Sequence, residues 1–161
     1  MTLPDLTSDC SQCVGLCCVG LSFQKGDDFA IDKASGTPCP NLDRHHSCKI
    51  HASLKEDGFE GCIKFDCAGA GQRVTQMRFN GESWQEHPEL LFAMMRDFEN
   101  LRPLHERMAQ LSEAGKSDLS EPLEMERADI LKRSARIWAD TETLKHRYDA
   151  FLTALAQSAA P

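Results

Sequence analysis

The chain reads as a mainly α-helical protein with a small, irregular α+β cysteine-rich module and a C-terminal antiparallel helical hairpin. Three observations predict this architecture. All eight cysteines fall between Cys10 and Cys67, and the 94 residues that follow contain none. The cysteine-bearing stretch is broken repeatedly by glycine, proline, asparagine and aspartate, which favour turns over long elements. Beyond Pro88, apolar residues recur at spacings of three, four and seven, the period of an amphipathic helix. At 161 residues the chain suits one ordinary domain, or a small module with an appendage. Residues 1–82 form the expected cysteine module and 83–161 the expected helical hairpin packed on it.

Taken in order, residues 1–9 are a lead-in in which Ser8 and Asp9 are cap or turn candidates. Val19-Gly20-Leu21-Ser22-Phe23 and Phe29-Ala30-Ile31 are β-prone. They flank the turn formers Gln24-Lys25-Gly26-Asp27-Asp28, so a small hairpin is expected. Ser35 to Asn41 is a turn region. Lys49 to Glu56 is a candidate short helix closed by Gly58 in the left-handed conformation. Gly61 to Cys67 is expected as a strand or extended loop returning two thiols. Ala68-Gly69-Ala70-Gly71 lacks the full glycine pattern of a phosphate loop, and reads as a tight turn beside the cysteines.

The helical half begins at Pro88, which suits a first turn. Leu91, Met94, Phe98, Leu101, Met108 and Leu111 then mark one face, with a possible bend at Pro103. Gly115-Lys116-Ser117-Asp118 ends this helix. Ser120 caps the next, with Pro122 in its first turn. Ile130, Ile137, Thr141, Leu144, Tyr148, Phe151 and Leu155 continue a nearly heptad stripe, so two helices are expected to pair antiparallel. Ala159-Ala160-Pro161 should fray. A ~58-residue cysteine module buries little core, and a metal can replace what burial does not supply. The two halves should therefore share a contact, with Trp84 near the junction.

Composition excludes some functions. The net charge is −7. Residues 1–80 carry 8 Lys/Arg against 10 Asp/Glu, and residues 81–161 carry 10 against 15. Both halves are acidic, so no basic footprint for nucleic acid exists. No stretch approaches the ~20 apolar residues that cross a bilayer. The start, Met1-Thr2-Leu3-Pro4-Asp5, has neither a positive n-region nor an apolar h-region, so a signal peptide is not expected there. A cytoplasmic location follows as the expectation, and in that reducing compartment a dense thiol cluster is more often a metal site than a disulfide framework.

Thiolates bind zinc and iron strongly, and four complete a tetrahedral ion or a cluster. Cys10-x2-Cys13 alone is weak, because dithiol redox sites share it. Joined to Cys17, Cys18, Cys39, Cys48, Cys62 and Cys67, it becomes a strong metal signal. Adjacent residues in extended chain point to opposite faces, so Cys17 and Cys18 should serve two centres, or leave one thiol outside the first coordination sphere. Only one Cys-x2-Cys knuckle is present, and the later spacings are irregular, unlike a zinc ribbon. Cys39 precedes Pro40, as ligands of iron–sulfur clusters often do. These features favour iron–sulfur slightly over zinc.

His51 follows Cys48 at a ligand-like spacing and is a possible additional ligand. His45 and His46 are weaker candidates, because eight thiols already fill two tetrahedral sites. His87, His105 and His146 lie on or beside the helices, where a solvated or buried structural role is expected. Asp66 reads as a turn or cap residue. No Ser-His-Asp or paired-carboxylate constellation emerges, so the catalytic residues, if any, are unknown.

Cys10-x2-Cys13-x3-Cys17-Cys18 with four later cysteines resembles a bacterial family described as putative zinc- or iron-chelating proteins, defined by that motif and by eight cysteines. The chain is also similar to the cysteine-rich N-terminal region of certain bacterial pentapeptide-repeat proteins. The similarity runs through Gly15 to Val19, Asp28 to Lys33, Gly36 to Cys39, Cys48 to His51, Gly58 to Cys62 and Phe65 to Gln72. It continues through Trp84 to Leu90 and Leu104-His105-Glu106, so it covers most of the chain. No pentapeptide repeats follow, so nothing those repeats do transfers.

The expected function is a metal-binding protein holding an iron–sulfur centre or zinc through eight cysteines, in a structural or redox role. Two alternatives are an iron–sulfur redox enzyme in which Cys17 or Cys18 reacts, and a zinc-stabilised helical module that docks or dimerises on a protein partner.

Overall fold

The computed structural model describes residues 3–158; the expected fraying of Ala159 to Pro161 lies outside them. The protein is mainly helical, with α1 Leu16–Gly20, α2 Glu60–Lys64, α3 Ala70–Arg73, α4 Leu91–Ala114, α5 Glu121–Ser134 and α6 Thr141–Ser158. Among the described residues β-structure is limited to two isolated antiparallel bridges, Phe23 with Lys33 and Leu42 with Cys48. The expected hairpin is therefore one bridge wide. The first two residues of its first run, Val19 and Gly20, end α1, which starts after Gly15 at φ +71.

Two further local expectations change. Lys49 to Glu56 holds only the 3-10 turn His51–Ser53, although Gly58 does take the left-handed conformation, at φ +78. Gly61 to Cys67 is not a strand: Cys62 sits inside α2. Phe29 lies over that helix so closely that a Cβ on Gly61 would meet its ring at 2.3 Å.

The long helix α4 is the spine. Met94, Phe98, Leu101, Met108 and Leu111 of the predicted stripe are buried along one face together with Leu104, while Leu91 is only partly buried, and the helix runs through Pro103 without interruption. Helix α1 packs on α4 through Leu16 and Val19, with Gly20 tucked against Met95. Helix α3 also packs on α4, then continues as a π turn over Val74–Arg78. One core thus joins Val14, Leu16 and Val74 to Phe98, Leu101, Tyr148 and Phe151. Trp84 belongs to it and donates its indole N–H to Val14 O at 2.7 Å.

The C-terminal segment is not a two-helix hairpin. The second predicted helix breaks between Ser134 and Thr141, and α4, α5 and α6 pack mutually as three helices. The break has identifiable causes. Arg73 donates through Nη2 to Ser134 O at 2.9 Å and to Arg136 O, taking carbonyls that a continuing helix would need. Asp140 then caps α6 by accepting from Thr143 N at 3.1 Å. Ile137, read as a stripe position, lies in the break and is exposed.

Candidate metal centre

The cysteines are delivered by short elements that turn around one point. Asp9 accepts from Ser11 N at 2.9 Å and caps the 3-10 turn Cys10–Gln12, after which Cys13 N returns to Cys10 O. Cys17 and Cys18 are consecutive on α1. Cys39 N donates to Cys18 O at 2.9 Å, stitching the Pro38–Pro40 turn to that helix. Cys48 is held opposite Leu42 by their bridge, and Asp43 pins the intervening loop through His45 N and Ser47 N.

At the far end Asp66 accepts from Ala68 N at 2.8 Å and from Ser8 Oγ at 2.5 Å. Ser8 Oγ also lies 3.1 Å from Cys67 Sγ. The expected turn follows, with Ala68 at φ 48 and Gly69 at φ 77. A Cβ on Gly71 would stand 2.7 Å from Cys13 Sγ. Glycine is therefore what lets Cys13 approach α3.

All eight thiols are free. Cys10, Cys13, Cys17, Cys18, Cys48, Cys62 and Cys67 line one hollow of about 160 Å³, walled by Phe23, Phe29 and Phe65. Cys39 is buried behind it, beside Phe23 and Phe59. Among the described residues, no three His, Cys, Asp or Glu side chains meet closely enough to hold a metal ion; the sulfurs ring the hollow instead of closing on a point.

The thiols shape one another's acidity. Burial pushes Cys13 up to about 11, against the pull of the Leu16 and Gly15 N–H groups. Burial, with the nearby Cys18, Cys39 and Cys48, pushes Cys62 up to about 11. Cys10 is raised by burial and by Cys67, and Cys48 chiefly by burial. Cys17 donates toward Cys18, which holds Cys17 well above the ordinary thiol value and Cys18 below it. Lys33 assists the lowering at Cys18. A crowd of thiols that hold their protons against each other is relieved by a thiophilic cation, which replaces the protons. The donor chemistry fits zinc or an iron–sulfur cluster.

The histidines divide. His51 borders the hollow from an exposed position. His46 borders it too, with Nε2 2.8 Å from Ser83 Oγ and Nδ1 buried without a hydrogen-bond partner. His45 instead accepts from Arg44 Nε. His105 is fully buried, far along α4.

Sequence reading missed three participants. The aromatic walls lie in runs read as strand or loop, Gly71 was read only as part of a turn, and Lys33 carried no signal beyond its place in a family-like segment. Lys33 is 6% exposed. Its ammonium donates to Val19 O, Ala34 O and Thr37 O, and lies 4.8 Å from the centre of the Phe23 ring.

No family profile matches the chain, and no solved structure matches it. Over 133 residues it is 41% identical to a protein of Bacillus subtilis (strain 168) named "Uncharacterized protein YybG". The alignment covers 83% of this chain and 48% of YybG, so the chain spans about half the length of that curated relative. No helix is long and apolar enough to cross a membrane among the described residues.

Proposed function

We propose that this is a cytoplasmic metal-binding protein of the eight-cysteine chelating family it resembles. Cys10, Cys13, Cys17, Cys18, Cys39, Cys48, Cys62 and Cys67 would hold an iron–sulfur centre or zinc, in a structural or redox role. The observation that carries this reading is the convergence of seven free thiols on one hollow, with the eighth directly behind it. Residues from both ends of a 58-residue stretch meet there.

Sets of four thiolates suit zinc and an iron–sulfur cluster alike, and the single Cys-x2-Cys knuckle with its irregular later spacings leans the reading slightly to iron–sulfur. When bound, such a group would supply electron transfer or a rigid cross-link. The chain's own contribution is to orient the thiols through α1, α2 and the Asp66–Gly69 turn, to exclude water with three phenylalanines, and to supply Lys33. His46, with its unpartnered Nδ1, is a better candidate for an additional contact than His51.

A redox enzyme is the second reading, favoured by Cys18, whose lowered acidity would make it the reactive thiol if it stood outside the metal's coordination. A third, a docking or dimerising module, draws on exposed Phe92 and Trp138 in the helical half.

The test is element analysis and absorption of anaerobically purified full-length chain. Bound iron with cluster absorbance, or bound zinc, supports the proposal; absence of both transition metal and cluster absorbance sinks it.

A further inference from the structure

We propose that the eight cysteines form two separate four-thiolate sites, Cys10, Cys13, Cys17 and Cys67 in one and Cys18, Cys39, Cys48 and Cys62 in the other, with Lys33 as the fixed counter-charge of the second alone. This rests on the metal-binding reading above and deepens it by assigning ligands.

The first set encloses its own small hollow of about 20 Å³, floored by Gly71 and Phe98. Cys13, Cys17 and Cys67 all border the larger core built on α4. The second set belongs elsewhere. Cys39 is part of the separate Phe23–Phe59 cluster, and Cys18 and Cys62 pack against it. Backbone hydrogen bonds tie this set together: Cys39 N to Cys18 O, Leu42 N to Cys39 O at 3.0 Å, and the Leu42–Cys48 bridge. The boundary between the sets falls between Cys17, packed against the core built on α4, and Cys18, packed against the Phe23–Phe59 cluster.

Lys33 breaks the symmetry. A buried ammonium is costly unless an anion answers it. Its three hydrogen bonds go to neutral carbonyls on the segments that carry Cys18 and Cys39. Val19 follows Cys18, Thr37 lies two residues before Cys39, and the ammonium lies 4.8 Å from the centre of the Phe23 ring, in the cluster that holds Cys39. Four thiolates around a metal leave net negative charge, so Lys33 stabilises the loaded second site and leaves the first without such a neighbour.

The experiment is stepwise chelator titration of metal-loaded wild-type chain, with alkylation and mass spectrometry locating the thiols freed at each step. Two phases are expected, each freeing one of the two sets. Cys13→Ser and Cys62→Ser should each keep about half the metal. Lys33→Met should move only the second set's phase to lower chelator concentration, by roughly tenfold or more for one buried charge, and Lys33→Arg should restore it. A single phase freeing all eight thiols, or phases that mix the sets, overturns the partition. An equal shift of both phases, or of neither, in Lys33→Met overturns the role of Lys33. Either failure occurs in a chain that binds metal, so it differs from failure of the metal-binding reading, in which there is nothing to titrate.

Discussion

Cys17 and Cys18 place their sulfurs 4.0 Å apart on successive residues of α1, and the contact polarises them in opposite directions. Cys17 keeps its proton and donates it toward Cys18, so the Cys18 thiolate is favoured. In metal-free, reduced chain near neutral pH, Cys18 should therefore alkylate first. Cys17, held well above the ordinary thiol value, and Cys13 and Cys62, pushed to about 11, should be slowest, because roughly a thousandth of a thiol at 11 is ionised at pH 8. Peptide mapping of a timed alkylation reads the order. Uniform rates for all eight would contradict this polarisation.

Gly71 lets α3 lie directly against a thiol. A Cβ there would press Cys13 Sγ at 2.7 Å, with Phe98 behind it. Gly71→Ala should destabilise the fold by about 1–3 kcal/mol through overpacking and lower metal content by displacing Cys13. Gly26→Ala, where nothing lies within 4 Å, should change stability by under ~0.5 kcal/mol. Urea titration and element analysis of both variants make the comparison.

His105 reports on the buried polar network behind Cys67. Arg73 has only donors, so His105 Nε2 must accept from Nη1 at 2.9 Å, and Nδ1–H donates to Ala68 O at 2.6 Å. The ring is neutral, and burial pushes its pKa down to about 4 from 6.5. Below pH 6.5 the unfolded chain takes a proton that the folded chain refuses until about pH 4. Stability from this residue is therefore complete above pH 6.5 and is lost as pH falls toward 4, by about 3 kcal/mol in total. The difference in pH dependence of urea unfolding between wild type and His105→Gln isolates it; identical profiles would contradict it.

Two ion pairs should differ sharply in worth. Arg78 and Asp97 pair at 3.0 Å with side chains 6% and 9% exposed, while Lys64 and Asp28 pair at 2.6 Å with 64% and 51% exposed. Asp97→Ala strands a buried guanidinium and should cost about 3–5 kcal/mol. Asp28→Ala should cost less than ~1 kcal/mol despite the shorter contact. Thermal or urea unfolding of the two variants checks the ranking.

The α4 stripe was legible because apolar residues recur every three or four positions from Met94 to Leu111, and one helix buries them on one face. The grouping of thiols was legible in their density. What sequence period could not carry were contacts between distant segments. The α5–α6 break depends on Arg73 reaching Ser134 and Arg136, about sixty residues away. Ile137 kept the heptad rhythm while lying outside any helix. Gly15 starts α1 just ahead of the β-prone run, so Cys17 and Cys18 are helical neighbours and not the opposed pair of an extended chain. Lys33 carried no signal of its own; only the fold surrounds it with carbonyls.

Native mass spectrometry of anaerobically purified chain tests the central claim most directly, because it weighs whatever the thiols hold. The account predicts a folded mass above that of the 161-residue polypeptide by whole numbers of zinc ions, or of irons with their sulfides, an excess that vanishes on acid denaturation. A folded mass equal to the bare polypeptide, or lower by the hydrogens lost to disulfides, would contradict it.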